Sequence, residues 1–248
     1  MRDVSFQLYS ARHVVPLAPF LTVLAGLGYT QVEGYSGLFA EPHTLKRQLD
    51  DAGLSMPSGH LPLDMLENNL SEVIAVAQVL GMKAVYCPYL DESERPGDAA
   101  GWQALGERLN QLVKPLRDAG LSFGWHNHDF EFQPLSDGSL PMDCLMGAGE
   151  DLNWEADIAW IVRGGQDPLP WIERYGGRIR AVHVKDIARG GEGGEEDGWS
   201  DIGDGMLDWP GLFRALKACP VDIFVLEHDN PSDAARFAAR SIASVKSM

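Results

Sequence analysis

Short apolar runs alternate along this chain with stretches in which apolar residues recur every three or four positions, the two periods of strand and helix. The runs fall at 4–9 (VSFQLY), 30–36 (TQVEGYS), 55–61 (SMPSGHL), 82–89 (MKAVYCPY), 121–128 (LSFGWHNH), 152–158 (LNWEADI), 179–186 (IRAVHVKD) and 222–228 (DIFVLEH), which makes eight predicted strands. Helical spacing is clearest in 15–28 and 66–81. Gly28, Gly53, Gly81 and Gly120 each stand between a helical stretch and the next strand. Glycine after a helix closes it in the left-handed conformation, so the repeated junction predicts α-to-β connections. Eight strands alternating with about eight helices predict a (β/α)8 TIM barrel, one domain over residues 1–248. A doubly wound open sheet would alternate too, but its glycine-rich phosphate loop is missing after the first strand, where the chain reads FQLYSARH.

Composition narrows the class. A chain of 248 residues, 45% hydrophobic and 23% charged, suits one soluble barrel. A net charge of −16 opposes binding to phosphate backbones and to multiply anionic ligands, and it favours cation capture. No apolar run approaches the roughly 20 residues of a membrane span, and MRDVSFQLYS lacks the pattern of a signal peptide, so a cytoplasmic protein is expected. Cys87, Cys144 and Cys219 have neither the spacing nor the even number of a disulfide framework or a cysteine zinc site, and are read as structural thiols.

Four of the predicted strands end in His, Asp and Glu: GWHNHDFEF (124–132), NWEADIAW (153–160), RAVHVKD (180–186) and FVLEHD (224–229). Barrel active sites sit at the C-terminal ends of the strands, so these clusters meet at one rim. Asp157, His183 and Glu227 close the sixth, seventh and eighth strands as candidate ligands for a divalent ion, Mn2+, Co2+, Zn2+ or Mg2+. His126 and His128 are a further ligand and an acid–base candidate from the fifth strand, and Glu131 is a carboxylate able to swing back toward them. Glu33 and His60 end the second and third strands as polar rim positions or caps. Lys185 shares a face with His183, where it binds a hydroxyl or an enolate, or pairs with Asp157 or Glu155. Trp125 and Trp160 are candidate walls for a sugar ring. The acidic, glycine-rich segment 188–205 either folds over a ligand or is a surface excursion.

The sixth-strand Asp in NWEADIAW, the HVKD word and the LEHD word resemble the xylose-isomerase-like barrels, a group of sugar isomerases and epimerases related in fold to the AP endonuclease type 2 proteins. The resemblance spans essentially the whole chain. It implies one divalent metal held by a strand-five Glu, a strand-six Asp, a strand-seven His and a strand-eight Glu; the last three fall on Asp157, His183 and Glu227. Where the family reads Glu-Asn-His, this chain reads His126-Asn127-His128, which exchanges one of two acid–base carboxylates for an imidazole. Glu33 and His60 resemble polar positions that line the sugar pocket in the family, which implies contact with substrate. The expectation is a metal-dependent isomerase or epimerase that removes a proton beside a carbonyl of a ketose, keto-sugar or cyclitol through an enediolate, with Glu227 as ligand and proton-transfer group. The alternatives are a lyase acting by β-elimination on a keto-inositol or 3-keto-glycoside, resembled by relatives with histidine in this strand, and a non-catalytic sugar-binding barrel. The expected partner is a small sugar or cyclitol, with no nucleic acid and no membrane; self-association stays open.

Overall fold

The computed structural model describes residues 4–190 and 192–248. Eight parallel strands close a barrel: β1 (Val4–Gln7), β2 (Gln31–Tyr35), β3 (Ser55–His60), β4 (Ala84–Cys87), β5 (Ser122–His126), β6 (Asn153–Asp157), β7 (Ile179–Val184) and β10 (Ile223–Leu226), with β10 between β7 and β1. A two-stranded antiparallel ribbon, β8 (Asp186–Ile187) with β9 (Trp199–Ser200), stands apart from the barrel on the loop after β7. Helices lie between the strands, among them α1 (Leu17–Leu27), α2 (Pro42–Ala52), α3 (Leu63–Asn68), α4 (Leu70–Leu80), α5 (Ala99–Asp118) and α6 (Pro141–Gly147). They continue with α7 (Ile158–Arg163), α8 (Pro168–Tyr175), α9 (Trp209–Leu216) and α10 (Ala234–Ser247). The strands are one to four residues shorter than the apolar runs that predict them, because Pro62 and Pro88 lack the amide a ladder needs and the rim residues belong to loops. The four expected junction glycines all carry positive φ, 92°, 71°, 79° and 82° in chain order.

Two cores follow from the alternation of side chains. Outward residues such as Trp125, Trp154, Val182 and Val184 join the large core beneath the helices. Inward residues Ala84, Tyr86, Ala181, Ile223 and Val225 fill the lumen. Gly124 makes room for this filling: a Cβ there would meet the Tyr86 ring at 2.9 Å and the Asn153 carbonyl oxygen at 2.7 Å. Above the apolar layer the inward positions turn polar, and that change of character is where the site begins. The cysteines are free, Cys87 buried and the other two half-buried. Among the described residues no helix is long and apolar enough to cross a membrane.

The segment after β7 is a folded excursion pinned at both ends. The Asp186 carboxylate accepts the backbone N–H groups of Ile187, Gly203, Gly205 and Leu207. Glu196 accepts from Ser232 N–H at 2.7 Å and from Arg236 at 2.8 Å, and Arg163 donates to the Asp197 carbonyl oxygen at 2.6 Å. Those bonds turn Asp197 and Trp199 toward the barrel mouth, so the segment furnishes a wall of the site.

Candidate active site

Alternation brings His126, Asp157 and His183 inward at adjacent strand ends: His126 is in register with Glu155, and Asp157 with His183. Glu227 follows β10 directly. All four are buried, and their donor atoms lie within 4.8 Å of one another. His183 Nδ1 is 2.7 Å from Glu227 Oε2; Asp157 Oδ2 is 3.9 Å from His126 Nε2 and 4.0 Å from His183 Nδ1. Asp157 also caps α7, its Oδ1 accepting the Trp160 N–H at 3.0 Å, which leaves Oδ2 for the cluster.

Asn127, the middle residue of the His-Asn-His word, splints the two strand ends. Its Oδ1 accepts the Asp157 N–H at 3.0 Å and Trp154 Nε1–H at 2.8 Å, and its Nδ2 donates to the Asp157 carbonyl at 3.0 Å.

The donor set suits a divalent first-row ion. Two carboxylates supply charge, and His126 is kept neutral, able to offer a lone pair, by burial and by the positive neighbours His183, His60 and Lys185. Glu227 is held anionic: burial raises its pKa, but Lys185 and His183 outweigh that and hold it below the usual carboxylate range. Asp157 is pushed up, chiefly by burial. Neither His126 Nδ1 nor Asp157 Oδ2 makes a hydrogen bond, although Asp157 Oδ2 is in ionic contact with Lys185 Nζ at 2.9 Å.

One layer deeper lie Glu33 and Glu155, both fully buried. Glu33 accepts from Gln7 Nε2 at 2.8 Å and stands 2.8 Å from His183 Nε2 and 3.2 Å from His60 Nε2. Glu33 therefore supports the imidazoles from beneath and does not line the cavity, contrary to its expected contact with substrate. His60 does reach the cavity, with Nε2 2.6 Å from Glu155 Oε2 and its ring stacked on His183. His60, His126, Glu155 and His183 form a second group of converging donors. Burial alone would lower the His60 pKa, but Glu33 and Glu155 prevail and raise it to about 9. A raised imidazole contributes stability that is complete below its ordinary value of 6.5 and disappears as pH rises through about 9. Chelator-treated protein should therefore lose resistance to urea between about pH 6.5 and pH 9. His60→Gln should flatten that slope in denaturation midpoints taken across the range.

The cavity above measures about 500 Å³ and is walled by Tyr9, Tyr35, Tyr89, Trp160, Trp199 and His128, with Arg12 and Arg163 at its edge. His128 lies two residues past the end of β5 yet still faces the cavity, packed between Tyr89 and Trp160. Burial and the nearby Lys185 keep it neutral. Lys185 lines the cavity and pairs with Asp157, as one expected reading has it, and also with Glu227 and Asp229. It makes no contact with Glu155 among the ion pairs of the described residues.

Two more expected residues lie away from the cavity. Trp125 is adjacent to inward His126, so alternation turns it outward into the helix-facing core. Glu131 lies in a single turn of 3-10 helix, Phe130–Phe132, which aims its carboxylate back under the chain, where it accepts Trp125 Nε1–H and His128 N–H at 2.8 and 2.9 Å. Burial lifts its pKa to about 8. The structure thus withdraws Trp125 from the substrate and Glu131 from the proton-transfer groups; together they hold the His128 backbone. Glu131→Gln turns one acceptor into a donor and should cost about 1–3 kcal/mol of stability while kcat falls less than about tenfold. A thermal melt beside steady-state kinetics checks both.

Sequence reasoning passed over Asp229, Asp197, Trp199, Tyr9, Tyr35, Arg12 and Arg163. Asp229 had a signal, being two positions after Glu227. Tyr9 and Tyr35 had one in their place at the ends of the first two strands. Trp199 sits in an aperiodic loop with none.

The family described as the xylose isomerase-like TIM barrel matches residues 21–248, and the chain belongs to it. It is similar to proteins named inosose dehydratase: 26% identical over 129 residues to that of Clostridium beijerinckii, covering 46% of this chain and 42% of the other. The Geobacillus kaustophilus protein of the same name is 23% identical over 190 residues, covering 67% and 61%. The chain thus spans about half the length of the curated relatives it matches. Among solved structures, a sugar phosphate isomerase/epimerase of Parabacteroides distasonis superposes with a TM-score of 0.83 at 22% identity, covering 99% and 93%. A probable 3-DHS dehydratase of Bacillus anthracis gives 0.78 at 13% identity, covering 98% of each chain. At such identities these two structures speak for the fold alone.

Proposed function

We propose that this protein is a divalent-metal-dependent carbon–oxygen lyase that eliminates a β-substituent, water or an alcohol, from a keto-inositol or 3-keto-glycoside. The observation that carries the reading is the position opposite Glu227: His126 stands where an epimerase of this family has its second carboxylate, and Glu131 is turned away from the cavity. Epimerisation needs acid–base groups on both faces of the substrate carbon, whereas elimination needs one base and a route for a leaving group. The relatives named inosose dehydratase support the same choice over the isomerase expectation.

His126, Asp157, His183 and Glu227 would hold the ion. When bound, it supplies Lewis-acid polarisation of a ketone oxygen, which acidifies the C–H beside it. His128, uncharged and facing the cavity, takes that proton. The imidazolium so formed at His128 returns that proton to the departing oxygen, while Asp229 stays the anionic partner of Lys185. Glu227, committed to His183 and Lys185, serves as ligand in preference to base. Trp160 and Trp199 offer ring faces to the substrate.

The test is to incubate a keto-inositol with chelator-treated protein before and after reloading with Mn2+ and to follow the ultraviolet absorbance of a conjugated ketone. Absorbance growing only in the reloaded sample supports the lyase. An epimer without absorbance restores the isomerase, and an unchanged substrate that still raises the melting temperature leaves a sugar-binding barrel.

A further inference from the structure

Lys185 occupies an unusual position for a lysine. It is 1% exposed, and its Nζ lies 2.9 Å from Asp157 Oδ2, 2.8 Å from Glu227 Oε2 and 2.9 Å from Asp229 Oδ1. Two of those three oxygens belong to the converging donor set. They are also the oxygens that face the imidazoles, since Glu227 Oε2 is 2.7 Å from His183 Nδ1 and Asp157 Oδ2 is 3.9 Å from His126 Nε2. An ammonium group and a divalent ion on these donors would contend for the same lone pairs, and two cations of like sign so close inside a buried site repel strongly. The ammonium also has somewhere else to go. Asp229 lies on the cavity side and is partly exposed, and the indole rings of Trp160 and Trp199 have their centroids 5.5 and 5.2 Å from Nζ.

We propose that Lys185 is a resident counter-cation of the metal site: it neutralises Asp157 and Glu227 in the metal-free protein, yields both to an incoming divalent ion, and is then held by Asp229 and the two indoles facing the cavity. The proposal rests on the metal-dependent reading above and adds a residue that sets how tightly the metal binds. It implies that a cluster this acidic folds even without an ion, because Lys185 spares the carboxylates the cost of burial unpaired. It also ties metal occupancy to the wall that meets the substrate, since the freed ammonium is presented beside Trp160 and Trp199.

The experiment compares chelator-treated wild type with Lys185→Met by calorimetric titration with Mn2+. The variant should bind at least about tenfold tighter, having lost the competitor, and its metal-free form should melt lower while gaining more on adding Mn2+. Equal or weaker affinity in a folded variant overturns the proposal. Wild type provides a second reading that needs no mutation: with lysine labelled with carbon-13 at Cε, the Lys185 resonance should move as Zn2+ is added. Zn2+ bound without movement of that resonance overturns the proposal, as does a protein that binds neither ion in either form. A failed elimination assay would leave these titrations standing, whereas equal affinities in an active lyase would remove only the role of Lys185.

Discussion

Glu227→Gln should lower kcat/KM for elimination by about a thousandfold or more, with the far-ultraviolet spectrum unchanged. Glu227 is buried, anionic and in contact with both His183 and Lys185, so the amide removes a charge from the centre of the site without changing its volume. The substitution weakens the metal's hold and places an amide where His183 Nδ1 needs an acceptor. Lys185 keeps Asp157 and Asp229 as partners, which limits the structural damage. Steady-state kinetics at saturating Mn2+ beside kinetics at limiting Mn2+ separate lost affinity from lost chemistry. Turnover equal to wild type would remove Glu227 from the site.

The largest expected loss of stability from a single polar residue is at Asn127. Its side chain is fully buried and makes three hydrogen bonds, two to the backbone of Asp157 and one to Trp154. Asn127→Ala leaves the Asp157 N–H and the Trp154 indole N–H buried without acceptors and loses the splint between β5 and β6. Each stranded donor costs about 1–3 kcal/mol, so a total of about 3–5 kcal/mol and a fall in melting temperature on the order of 10 °C are expected. Metal affinity should fall in the same variant, because the splint sets the position of Asp157. A melt within about 2 °C of wild type would show that the three bonds carry little weight.

Much of this was legible in the chain because barrels obey two simple periodicities. Period-two alternation at strand ends places Asp157, His183 and Glu227 together, and the glycines after helices mark where β2, β3, β4 and β5 begin. The same rule, carried one residue further, excludes Trp125: a neighbour of inward His126 must face out. Glu33 shows what alternation leaves open. It points inward, in register with Gln7 and Ser58, but a layer below the rim, and depth depends on the stagger between strands, which a single sequence does not reveal. Glu131 lies beyond the strand, where alternation no longer applies and a 3-10 turn decides its direction. Asp197 reaches the cavity through hydrogen bonds from the distant residues Arg163 and Asn230, and Trp199 carries the Arg163 guanidinium over its ring at 3.3 Å; no local pattern announces either.

On the proposed reading, metal held by His126, Asp157, His183 and Glu227 drives elimination from a keto-inositol or 3-keto-glycoside. Proton NMR of a keto-inositol incubated in D2O with the Mn2+-loaded protein, read after chelation of the metal, tests it most directly. The account predicts a new vinyl resonance and loss of the β-carbinol proton, both absent when chelator precedes the protein. Deuterium exchange or an epimer with no vinyl signal, or elimination that proceeds equally in chelator, would contradict it.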